Sequence, residues 1–97
     1  MNLENLQDET FRPYLNQIFT ITATAETQMD ATLIAVKSSP HMGADRRQFS
    51  LLFLGPQAPV LGQATYQVEN LALGKLEIFL CPVGVSGKGA EYEAVFT

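Results

Sequence analysis

The sequence predicts an all-β fold: a small antiparallel β-sandwich or a partly open β-barrel of about six strands, preceded by a short N-terminal helix. Three observations predict it. Apolar side chains recur at every second position in most segments from Phe19 to Phe96, the period of a strand with one buried face. Breaks rich in Gly, Pro, Asn and Ser separate those segments at regular intervals, as turns separate the strands of small β domains. The composition is 46% hydrophobic and 16% charged over 97 residues, enough for one domain with a small core.

The elements follow in chain order. Residues 1–9 read as a flexible arm and residues 10–97 as a single β domain. Thr10 can cap a helix, and Pro13 falls in its first turn, where a missing N–H costs little. A helix over 10–16 places Phe11, Tyr14 and Leu15 on one face, as a lid on the core. From Phe19 to Thr24, Phe and Ile alternate with Thr, which predicts a half-buried strand. Glu26-Thr27-Gln28 is a polar turn. Thr32 to Val36 carries β-branched residues, although Asp30 and two alanines leave residues 29–37 open to either strand or helix.

Residues 38–47 form the first long break. Phe49 to Leu54 is apolar on both faces, so it predicts a central strand that ends at Gly55-Pro56. The following loop to Gly62 is stiffened by Pro56 and Pro59. From Gln63 to Glu69, Ala64, Tyr66 and Val68 point one way and polar residues the other. Leu76, Ile78 and Leu80 repeat that pattern after a turn at Leu73-Gly74, and Pro82 is expected to stop the strand. Gly84, Gly87 and Gly89 space a hairpin loop, and Tyr92, Ala94 and Phe96 line the last strand.

Charge and cysteine content narrow the function classes. Ten acids against six bases give a net charge of −4, so no nucleic-acid partner and no anionic membrane is expected. One Cys and one His exclude a metal- or disulfide-held miniprotein, and neither a metal nor a cofactor is expected. The start of the chain lacks a basic apolar leader, and glycines and prolines interrupt the apolar run 50–66. A cytoplasmic location is therefore expected, compatible with later release inside a larger particle.

Candidate chemistry is sparse. His41 shares a loop with Asp45, Arg46 and Arg47, and a base, an orienting carboxylate and an anion clamp could be drawn from them. No nucleophile motif accompanies the set, and a solvated loop accounts for it as well. Cys81 has no neighbouring His or Lys to activate it, and reads as an inert buried thiol. Glu91 and Glu93 read as the wet face of an amphipathic strand that guards a sheet edge. The glycines at 84, 87 and 89 precede a strand rather than a helix, which removes a phosphate loop. No residue is assigned a catalytic role.

Phe49-Ser50-Leu51-Leu52-Phe53 with Gly55-Pro56, Gln63-Ala64-Thr65-Tyr66, Leu73-Gly74, Phe79-Leu80-Cys81-Pro82-Val83 and Tyr92-Glu93-Ala94-Val95-Phe96 resemble a family of short bacterial all-β domains without an assigned activity. The likeness spans most of residues 10–96. It implies a fold and a loose association with phage-tail-like fibre or collar proteins. It carries over no site residue.

A non-enzymatic structural or interaction module fits these features best. It would be a subunit or adaptor in an assembly, its protein partner either a second copy or a tail- or fibre-like protein. Open sheet edges, the arm and the two long loops would reach the partner. His41, Met42, Arg46, Arg47, Val60, Leu61 and Lys88 are the expected contact residues, apolar anchors giving affinity and charges setting choice. The alternative is a small-ligand or glycan-binding domain, with a groove between the His41 loop and the glycine loop near Tyr66 and Tyr92. A small hydrolase or isomerase using His41, Asp45 and Arg46 is the third reading.

Overall fold

The computed structural model describes residues 8–40 and 47–96. Six antiparallel strands close a barrel in the order β1-β2-β3-β6-β5-β4. They are β1 (Ile18–Thr22), β2 (Gln28–Pro40), β3 (Arg47–Gly55), β4 (Ala64–Asn70), β5 (Gly74–Ser86) and β6 (Gly89–Phe96). The barrel closes where β1 pairs with β4 through Thr20↔Glu69, Ile21↔Val68 and Thr22↔Gln67. The sheet is therefore not left open, and the free edges expected to capture a partner strand are largely consumed by closure.

The alternating pattern fixes which side chains fill the barrel. Phe19, Ile21, Leu33, Leu51, Phe53, Val68, Leu80 and Tyr92 are fully buried. Each such side chain contributes about 1.5–3 kcal/mol relative to exposure. Phe19 and Phe53 meet edge to face at a centroid distance of 5.3 Å, the geometry that the ring quadrupoles favour.

Two long strands make the closure possible. β2 pairs with β1 up to Thr32 and with β3 from Thr32 onward, with a bulge between Leu33 and Ala35. β5 pairs with β4 up to Leu80 and with β6 from Cys81 onward, with a bulge between Pro82 and Gly84. A bulge bends and twists its strand, which lets one strand serve both halves of a barrel. In both strands the bulge follows the change of partner by two or three residues. The chain is thus two three-stranded meanders, β1-β2-β3 and β4-β5-β6. They are joined at two antiparallel seams, β3 with β6 and β1 with β4. This approximate twofold arrangement has no counterpart as a sequence repeat.

Several expectations change. Residues 29–37 are strand, within β2. Pro82 does not end β5, because it sits at the bulge, where a strand tolerates a missing N–H. The break expected over 38–47 is shorter, since β2 runs to Pro40 and β3 starts at Arg47. The helix starts earlier than expected. It is α1 (Asp8–Phe11) followed by a 3-10 turn at Arg12–Tyr14. Phe11 is buried and Tyr14 packs on the core, but Leu15 is 41% exposed. Residues 1–7 of the expected arm lie outside the described residues.

Both mouths of the barrel are covered. At one, the Phe11 ring lies 6.0 Å from Phe49 and 5.9 Å from Phe96, which stack on each other at 4.6 Å. At the other, the 56–63 connection between the two meanders is tied down. The Gln57 amide donates to the Ser86 carbonyl at 2.7 Å. The Leu61 N–H donates to the Tyr92 hydroxyl at 2.8 Å, and the Tyr66 hydroxyl donates to the Gly62 carbonyl. This loop is a strap, not a free arm.

Candidate interaction surface

Of the contact residues expected from sequence, Arg47, Val60, Leu61 and Lys88 fall among the described residues. His41, Met42, Asp45 and Arg46 lie outside the described residues, and Arg47 opens β3. Leu61 turns inward and packs on the core, while Val60 stays 46% exposed. Lys88 is exposed at the tip of the β5–β6 hairpin, its N–H bonded to the Ser86 hydroxyl at 3.2 Å.

The residues that anchor the His41 loop and the glycine loop stand at opposite ends of β3. Pro40 pairs with Arg47 at one end of β3, whereas Gly55 pairs with Ala90 beside the glycine hairpin at the other. The length of β3, roughly 27 Å, separates them. The glycine hairpin is also mostly strand, with only Gly87 and Lys88 in the turn.

The strand register assembles a different surface. Outward positions of β2, β3, β6 and β5 form cross-strand rows on one wall. Lys37 lies beside Ser50, and Ser50 beside Val95. Ala35 lies beside Leu52, Leu52 beside Glu93, and Glu93 beside Cys81. Thr32 lies beside Leu54, and Leu54 beside Glu91. Val95 is 60% exposed, Val83 52% and Phe79 51%. Phe79 and Val95 project outward because their neighbours in the alternation fill the barrel, and Val83 lies at the β5 bulge. The sequence signal was there: β3 is apolar on both faces, yet only its inner face is needed for the core.

Cys81 is half-exposed on this wall, not buried. Its thiol donates to the Gln63 side chain at 3.5 Å. Glu91 and Glu93 do lie on an outer face, but on a strand flanked by β3 and β5 rather than at an edge. Among the described residues, no hydrogen bond or ion pair engages their carboxylates or the Lys37 ammonium.

A second feature is a shallow depression lined by Asn16, Gln17, Ile18, Asn70, Leu71 and Ala72. Its one buried polar side chain is spent internally. The Asn70 amide donates to the Ile18 carbonyl at 3.2 Å and accepts from the Ala72 and Leu73 N–H groups at 2.8 and 3.2 Å. Among the described residues, no group of three or more His, Cys, Asp and Glu could hold a metal ion. Nor is any helix among them long and apolar enough to cross a membrane.

Residues 6–96 match the profile of a family described as a domain of unknown function, DUF6916. The chain belongs to the DUF6916 family. The match takes in α1 and all six strands, so the whole barrel is the family's unit. No curated protein and no solved structure matches this DUF6916 chain.

Proposed function

We propose that this DUF6916 domain is a non-enzymatic structural or interaction module, a subunit or adaptor of a larger protein assembly. One observation carries the reading. Buried side chains line the barrel interior, and yet Phe79 and Val95 remain more than half-exposed on a wall that also carries Leu52 and Leu54. Contiguous apolar surface beyond the needs of the core is what a protein contact buries. A phage-tail-like or fibre-like particle of a bacterium is the setting that the family resemblance implies, with synthesis in the cytoplasm before assembly.

The small-ligand or glycan alternative has less support. The Tyr66 and Tyr92 hydroxyls that would line its groove both serve the 56–63 strap. The discriminating experiment is affinity capture with the tagged full chain as bait, alongside a Phe79→Asp/Val95→Asp bait. The reading expects captured proteins that the double variant loses while its circular-dichroism spectrum stays unchanged. Capture of nothing, together with binding to a glycan array, would replace it with the alternative.

A further inference from the structure

The wall that carries the proposed function is complementary to itself. Lys37 and Glu93 sit on the same outer face, two strands apart and one two-residue step apart. That places them roughly 12 Å from each other, from strand spacings near 5 Å and a rise near 3.4 Å per residue. No ion pair joins them within the chain, and neither has a charged partner among the described residues. Between them lie Leu52 and Ser50 of β3, with Ala35 and Val95 to either side.

Two such faces can be stacked about a twofold axis that lies between them and crosses β3 between Ser50 and Leu52. Lys37 of each copy then stands over Glu93 of the other, twice per dimer. Ala35, Leu52 and Val95 meet their counterparts in the middle. A twofold interface uses one patch twice, so it requires this kind of internal complementarity. An acidic wall without a cation of its own would need a different, basic partner. This wall carries the cation.

We propose that the β2–β3–β6 wall binds a second copy of the same chain, through paired Lys37–Glu93 contacts around an apolar centre at Ala35, Leu52 and Val95. This rests on the reading of that wall as an interaction surface and names its partner. The face is four strands wide at most, at the low end of the area that holds stable dimers, so the association is concentration-dependent.

The test is light scattering behind size exclusion on the full chain, from micromolar to hundreds of micromolar, with charge-swapped variants. The wild type is expected to dimerise. Lys37→Glu alone and Glu93→Lys alone place like charges together twice, and each is expected to raise the dissociation constant at least about tenfold. Lys37→Glu combined with Glu93→Lys is expected to restore the dimer. A mixture of labelled and unlabelled chains treated with a zero-length carboxyl–amine crosslinker is expected to join Lys37 of one chain to Glu93 of the other. A monomer at the highest concentration overturns the proposal, as does a dimer insensitive to either swap or one not rescued by the pair. Loss of the twofold contact with retained capture of another protein through Phe79 and Val95 would leave the interaction reading standing. Loss of both would remove that reading too.

Discussion

At the scale of single residues, a few positions hold the turns and mouths. Gly89 adopts a φ of 142°, a conformation that L side chains rarely take. A Cβ there would overlap the Gly55 carbonyl oxygen on the neighbouring strand. Gly89→Ala is therefore expected to cost about 2–4 kcal/mol, strain and clash together, measured by urea unfolding. Tyr92→Phe removes the hydroxyl that accepts the Leu61 N–H and leaves that donor unpaired at the strap. An expected loss of about 1–2 kcal/mol should appear in the same titration, with faster exchange of the Leu61 amide. Asn70 is only 5% exposed and ties the β4–β5 turn to β1. Asn70→Ala orphans two N–H groups and is expected to cost about 1–3 kcal/mol, read as a fall in Tm. Tyr92 was legible in the sequence as one of the alternating residues that line the last strand. Asn70 was not, because its bond to Ile18 joins residues 52 positions apart, and only the turn Asn-Leu-Ala-Leu-Gly hints at it.

At the scale of elements, period-two alternation identified the strands because each has one face in the barrel. It misplaced their ends where a local rule met a tertiary exception. Pro82 stops an ordinary strand, but in β5 it falls at the bulge, and pairing with β6 carries the strand on to Ser86. The Asp-Ala-Thr stretch in β2 left a helix open, and pairing on both sides with β1 and β3 decides for strand. The short helix holds by tertiary packing rather than by length, since isolated helices of this size are unstable in water. Its anchor is Phe11, wholly buried against Phe49 and Phe96. Phe11→Ala is expected to cost about 3–5 kcal/mol and to expose that mouth, measured by calorimetry and by binding of a hydrophobic dye. Leu15→Ala, on a side chain 41% exposed, should change stability little.

At the scale of the whole molecule, closure was the part that the sequence did not disclose. Adjacent strands joined by turns can be inferred from turn chemistry. The two seams join residues 35 to 49 positions apart in the register, and nothing local specifies such pairing. The proposed interaction wall was half legible: the two-faced apolar run of β3 was visible, but not its cross-strand partners. The seams are unequal. β3 and β6 pair from Phe49↔Phe96 to Gly55↔Ala90, whereas β1 and β4 share only three paired residues. Sub-global opening should start at the shorter seam, so amides of Thr20 and Thr22 are expected to exchange faster than those of Leu51 and Phe53, followed by NMR. The strap that joins the two meanders has a consequence of its own. It is the sole covalent crossing between the two meanders; of its three anchors, two lie within the second meander after Pro59 and one bridges the meanders without needing the bond before Pro59. A chain nicked between Ala58 and Pro59 should still reassemble from its two pieces, so the domain can be made as complementing fragments whose reunion reports that the proteins fused to them have met.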